Sequence, residues 1–264
     1  MKHCIYLALF LLSIAGKAQS TASANVSSFT LYSPELDVEK KIWVYLPVGY
    51  QTDSKKKYPV LYMHDGQNIF DKATSFAGEW RVDETLDSLK AEVIVIAIEH
   101  GGDNRMAELT PYANEKHGGG DANIYLDFVS HTLKSYVDEN YRTKSDRKNT
   151  SIAGSSLGGL VSYYALLKYP ETYGKAIVFS PAFWFSKTIY TFTEEAEKTD
   201  AKIYFMAGDS EDENMVPDLN SMYDLMSGKI KNKKKLYKKV VAGGKHNEAL
   251  WAKEFPAAFL WIIE

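Results

Sequence analysis

Thr150-Ser151-Ile152-Ala153-Gly154-Ser155-Ser156-Leu157-Gly158-Gly159-Leu160 reads as a short buried strand, a Gly-x-Ser-x-Gly turn and the opening of a helix. The helix continues through Val161-Ser162-Tyr163-Tyr164-Ala165-Leu166-Leu167. A strand that turns this sharply into a helix leaves room only for small neighbours, so glycines flank the serine on both sides. The turn lifts the Ser156 hydroxyl clear of the sheet edge. It also leaves the Leu157 backbone N–H at a helix N-terminus, where it can face a developing negative charge. Ser156 is therefore the candidate nucleophile and Leu157 a candidate oxyanion donor.

Strands and helices alternate outward from this turn. Lys41–Pro47 and Tyr58–His64 are strand-like, and Val93-Ile94-Val95-Ile96-Ala97-Ile98 is an unbroken apolar run of the kind covered on both faces in a parallel sheet. Arg81–Lys90 places Val82, Leu86 and Leu89 on one helical face. Asp121 opens a long helix, which it can cap, with Ile124, Phe128, Val129, Leu133 and Val137 at helical spacing. Further strands read at 175–180, 201–207 and 236–241, with a helix near 219–226. A last apolar helix covers 248–263, kinked or restarted at Pro256. The stretch 101–120 is poor in structure signals, as functional loops often are. This pattern predicts an α/β fold: one open, mostly parallel central sheet with helices on both faces.

Met1-Lys2-His3, the apolar run Ile5–Ile14 and the small residues Gly16 and Ala18 predict a secretory signal peptide over 1–18, too short in its apolar part to span a bilayer. Residues 19–28 are polar and small and read as a flexible lead-in to one domain over 29–264. The roughly 245 residues after Ala18 suffice for a full core. The single cysteine, Cys4, precedes Ala18, so neither a disulfide nor a Cys-based metal site is expected in residues 19–264. A formal net charge of −3 gives no reason to expect a nucleic-acid partner. The lysine run 229–239 reads as a solvated turn and an edge strand guarded against pairing.

A serine hydroxyl needs a base within hydrogen-bond reach, and the base needs an acid that fixes its tautomer. At an elbow of this type the chain order is serine, acid, histidine. Only His246 follows Ser156, in Ala242-Gly243-Gly244-Lys245-His246-Asn247, between the last strand and the last helix. The acid belongs after the preceding strand, where Asp209, Glu211, Asp212 and Glu213 compete and spacing alone does not choose. The loop after the strand ending at His64 is the source of a second oxyanion donor, Gly66 or Gln67. His64 itself precedes the elbow and reads as a packed residue.

Met63-His64-Asp65-Gly66-Gln67-Asn68-Ile69-Phe70, the 154–159 elbow, Ser180-Pro181-Ala182-Phe183-Trp184 and Gly244-Lys245-His246-Asn247 occur together in this order. As a set they resemble the esterase D-like family of α/β-hydrolases, from about Phe29 to the C-terminus. That family includes feruloyl and acetyl-xylan esterases, siderophore esterases and mycolyltransferases. The resemblance implies an α/β-hydrolase fold, and it implies Glu211 as the acid, ahead of Asp209 and Asp212. It also implies Trp80, Arg105 and Trp184 as residues near the site mouth. The tryptophans would stack on a sugar or an aromatic acyl group, and Arg105 would either bind a substrate carboxylate or pair with Glu108.

The expected activity is a secreted or periplasmic serine carboxylesterase acting on small-molecule or oligosaccharide esters, with acetyl or feruloyl groups first and siderophore esters as the alternative. Neither a metal nor an organic cofactor is called for. A metal-dependent hydrolase would need clustered ligands, whereas His100, His117 and His131 are scattered. A non-catalytic binding protein on the same fold would ordinarily lack the serine, the histidine or an elbow glycine, and all are present.

Overall fold

The computed structural model describes residues 19–264; the expected signal peptide, 1–18, lies outside the described residues. Eight strands form one sheet in the order β1-β2-β4-β3-β5-β6-β7-β8. They are β1 (Val26–Ser33), β2 (Val38–Tyr45), β3 (Val60–His64), β4 (Ile94–Ile98), β5 (Thr150–Ser155), β6 (Lys175–Phe179), β7 (Lys202–Gly208) and β8 (Leu236–Val241). β3 to β8 pair in parallel, and the β1–β2 hairpin joins β4 antiparallel through Ile42↔Ile98 and Tyr45↔Val95.

Two apolar layers sandwich the sheet, and the strand alternation divides them. Ile94, Ile96 and Ile98 of β4 face a layer shared with Leu160, Val161, Leu219 and Met222. These come from α5 (Leu157–Lys168) and α7 (Met215–Lys229). The layer also holds Leu126, Phe128, Leu133 and Val137 of a continuous helical segment, α3 (Ala122–Asp127), a π-helical stretch (Phe128–Leu133) and α4 (Lys134–Asn140). Val95 and Ala97 face the opposite layer, built from Leu86 of α1 (Val82–Leu89) and Trp251, Phe255 and Phe259 of α8 (Glu248–Ile263). This is the expected architecture.

Several expectations need correction. The sequence reading misses β1, because its alternation is of half-exposed residues on an edge strand. The stretch 19–28 is no loose lead-in: the Ser20 hydroxyl and the Thr21 amide bind the Asp71 carboxylate at 2.6 and 3.0 Å, and Asn25 Nδ2 binds Asp87 at 2.9 Å. The stretch 101–120 contains α2 (Arg105–Leu109). Asp121 makes no side-chain cap to α3, and Ile124 and Leu89 are exposed rather than on the buried faces. Pro256 does not break α8. Its missing N–H would bond the carbonyl of Ala252, and both residues sit on the partly exposed side of the helix, where leaving that oxygen without its helical partner costs least. The lysine-bearing β8 is an edge strand, as expected.

β3 lies between β4 and β5, so crossovers leave it in both directions. The loops after β3 and β5 diverge there and open a crevice at the C-terminal edge of the sheet, where ligands of such folds bind.

Candidate active site

Ser156 ends β5 and precedes α5 with φ 55° and ψ −122°, a conformation that L-residues rarely hold. Its amide is anchored to the Phe179 carbonyl at 3.0 Å. The flanking glycines are a packing requirement: a Cβ on Gly154 would lie 2.6 Å from the backbone of Gly158, and one on Gly159 2.7 Å from Phe179 O. The strained turn is thus over-determined by its surroundings, and Leu157 opens α5 with its N–H unused by the helix.

Ser156 lines a cavity of about 540 Å³ together with His246, Gln67, Arg105, Glu248 and Trp251. That volume suits a small-molecule site. His246 lies in the β8–α8 loop, and its Nδ1 is 2.6 Å from Glu211 Oε2. The Glu211 side chain is fully buried and its other oxygen accepts from Ser180 Oγ at 2.7 Å and Gly208 N at 2.6 Å. Trp251 Nε1 donates to the same Ser180 hydroxyl at 2.9 Å, and the indole stands edge-on to the His246 ring at 5.0 Å. The imidazole is therefore held through one nitrogen and one face, with its side chain partly open to the cavity. Gly208 and Gly244 make this junction: a Cβ on Gly208 would fall 2.2 Å from Gly244 O, so only two glycines let the two loops touch.

Of the competing carboxylates, Glu211 is the one bonded to the histidine. Asp212 Oδ1 accepts from the Asn214 and Met215 amides at the start of α7 (2.7 and 2.9 Å), and Asp209 Oδ1 from Gly243 N at 2.7 Å.

On the facing wall, Asp65 takes the left-handed conformation (φ 56°) and leads into a 3-10 turn, Gly66–Asn68. Gln67 lines the cavity. Gly66 is required by packing against the sheet: a Cβ there would sit 2.8 Å from the Ala97 backbone of β4. Arg105 does not pair with Glu108. Its fork binds Asp65, Nε to Oδ1 at 2.6 Å and Nη2 to Oδ2 at 2.8 Å, and the residue lines the cavity. Glu108 instead receives Lys40 Nζ on both oxygens (2.9 and 2.8 Å) in a buried ion pair. His64 is buried, bonded through Nδ1 to Tyr125 OH at 2.8 Å, and burial lowers its pKa to about 4. Burial also raises Glu248 from the usual carboxylate value, with the nearby Asp65 charge adding to it.

Trp80 is in the cavity lining, as the resemblance implied, but it is 3% exposed and its ring stacks on Phe179 with Trp251 beside it. Trp184 is half-exposed, packs on His117 and Phe185, and is not part of the lining. The exposed aromatic of the lining is Phe76, 92% exposed, which sequence reasoning missed because nothing marks its loop as a cavity wall. Ser180 was within reach, since it begins the Ser180–Trp184 motif; Trp251, five positions after His246, carried no local signal.

The family model described as Putative esterase matches residues 33–262. The chain belongs to that family. A protein of Bacillus subtilis named YbbA, uncharacterized, is 25% identical over 237 residues, 84% of this chain and 92% of its own length. Two solved structures share the fold. One is a ferulic acid esterase, with TM-score 0.68 at 19% identity, covering 90% of this chain and 97% of that one. The other is an enterochelin esterase from Shigella flexneri, with TM-score 0.70 at 16% identity, covering 92% of this chain and 59% of that one. This esterase has the α/β-hydrolase fold and is a carboxylic ester hydrolase. No helix among the described residues is long and apolar enough to cross a membrane.

Proposed function

We propose that this esterase works through an acyl-enzyme on Ser156, with His246 as base and Glu211 as its acid. The observation that carries this reading is the buried Glu211 carboxylate bonded to His246 Nδ1 at 2.6 Å, beside a cavity that both His246 and the strained Ser156 line. Glu211 fixes the tautomer that leaves Nε2 free to accept a proton. Ser156 Oγ attacks the ester carbonyl carbon as His246 takes its proton. The resulting oxyanion is held by the Leu157 N–H and by the Gln67 N–H, which the cavity lining favours over Gly66. The intermediate collapses, the C–O bond breaks, and His246 returns the proton to the leaving alcohol. Water, deprotonated by the same histidine, then attacks the acyl-serine and releases the acid.

For the substrate we infer a neutral, carbohydrate-linked acetyl or feruloyl ester. Asp65, Asp103 and Glu248 outnumber Arg105 in the cavity lining, and Arg105 is already neutralised by Asp65. Such a wall disfavours an anionic ferric siderophore, the alternative suggested by the enterochelin esterase that shares the fold. Phe76 offers an apolar platform at the mouth. The reading of 1–18 as a signal peptide puts the enzyme outside the cytoplasm.

The test is hydrolysis of p-nitrophenyl acetate with chelator present, for the wild type and Ser156→Ala. Turnover should survive the chelator and fall by about 10⁴-fold or more in the variant. Turnover indifferent to Ser156 would sink the mechanism.

A further inference from the structure

On the sheet face away from α5, the N-terminal segment meets the start of α1 at a group of three carboxylates. Glu79, Asp83 and Glu84 each offer an oxygen, and these atoms all lie within 4.8 Å of one another. Part of their hydrogen-bonding capacity is used: Thr21 Oγ1 donates to Glu79 Oε1 at 3.0 Å, Ser23 N to Asp83 Oδ2 at 2.6 Å, and Arg81 Nε to Glu84 Oε1 at 3.1 Å. The rest is not. Asp83 is fully buried and its Oδ1 has no partner; Glu84 Oε2 is likewise shielded from solvent without one. Asp83 and Glu84 are neighbours in the chain and bring carboxyl oxygens to within 4.8 Å of each other and of Glu79. Two carboxylate oxygens that face each other out of water repel unless a proton or a cation lies between them. The one cationic side chain at the cluster, Arg81, is largely exposed and bonds the far oxygen of Glu84.

We propose that Glu79, Asp83 and Glu84 form a binding site for a hard divalent cation, with calcium the ion that fits. The donor set is all oxygen, which excludes a preference for soft metals. Calcium–oxygen distances of about 2.4 Å allow ligands to lie up to about 4.8 Å apart, and the three oxygens lie within that limit of one another. Glu79 and Glu84 are only half-buried, so water completes the shell. The ion clamps three pieces together: α1 through Asp83 and Glu84, the N-terminal segment through its bonds from Thr21 and Ser23, and Glu79 on the loop that carries Phe76 and Ala77 of the cavity wall. Its role is to fasten the wall opposite Ser156, not to take part in the ester chemistry.

The experiment uses the purified protein, stripped with chelator, and follows thermal unfolding during calcium addition. In parallel, Tb³⁺ luminescence is excited through Trp80, the residue next to Glu79. Calcium at ~10 mM should raise Tm by about 3 °C or more and displace the Tb³⁺ signal. Both effects should disappear in Asp83→Asn, which keeps an oxygen for Ser23 N, and in Glu79→Gln, which changes a half-buried side chain. A calcium response that persists in both variants would overturn the assignment. So would the absence of any calcium or Tb³⁺ response in the wild type; a higher Tm for Asp83→Asn at every calcium concentration would then make the cluster a proton-sharing carboxyl pair only.

Discussion

The two walls of the cavity are held by different physics. The Ser156–His246 wall is fixed by backbone: a strained φ at Ser156, glycines whose Cβ atoms would collide, and loops in van der Waals contact at Gly208 and Gly244. The wall of Asp65, Gln67 and Arg105 is fixed by ion pairs between distant side chains, Arg105 with Asp65 and Lys40 with Glu108. Backbone constraints are written locally, in short runs of small residues. An ion pair such as Lys40–Glu108 spans 68 positions of sequence and leaves no local mark.

The difference explains what was legible. The elbow, the His246 loop, the order of strands and helices, and the parallel sheet follow from period, glycine placement and chain order, and the structure bears them out. Glu211 as the carboxylate that bonds His246 was reachable only through family resemblance, because Asp209, Glu211 and Asp212 differ in what they touch and not in their spacing. Trp184 was placed at the site mouth but lies outside the lining, because residue type does not tell which face of the molecule an exposed ring occupies. The partner of Arg105 was misjudged because Glu108, three positions on, looked nearer than Asp65, which the β3 loop delivers from 40 positions away. β1 was missed because an edge strand exposes half of its side chains.

The sharpest way to break the contrast is Glu211→Gln. The amide keeps an oxygen for Ser180 and Gly208 but presents an NH₂ to His246 Nδ1, which forces the wrong tautomer. On the general behaviour of such triads, kcat should fall by about 10⁴-fold with Tm little changed. A fall below about tenfold would mean that Ser156 and His246 act as a dyad and that the bond between Glu211 and His246 serves only to hold the loop.

Lys40→Met probes the other wall without touching the first. It leaves a Glu108 carboxylate buried with only the Gly101 N–H at 2.9 Å. The expected cost is about 3–5 kcal/mol, with most of it recovered in Lys40→Met/Glu108→Gln. Denaturant unfolding of the two single variants and the double variant measures it. Equal losses in the single and double variants would show that the pair contributes little beyond packing.

His64 sits where the walls meet, and its behaviour in acid tests whether that seam is as dry as its burial implies. It ends β3, and its Cβ is 3.3 Å from where a Cβ on Gly158 would lie. Burial is what lowers its pKa to about 4; the charges of Asp65 and Arg105 act in opposite directions on it, and they neutralise each other as a pair. An unfolded chain takes up the proton near 6.5, so between pH 6.5 and 4 the unfolded state binds a proton that the native state refuses. Stability must therefore fall as pH drops through this window, by up to about 3 kcal/mol from this residue, and the fall must level off below pH 4, where the native histidine also charges. His64→Asn, which keeps a polar atom for Tyr125 OH, should be less stable than wild type at pH 7.5 through lost packing. The gap should narrow by that same amount as the two proteins are titrated to pH 4, because the variant has no imidazole to hold neutral. Carboxylate protonation is common to both and cancels in the difference. Parallel stability curves would mean that water reaches His64 and that the elbow wall is less sealed from its neighbour than the packing at Gly158 indicates.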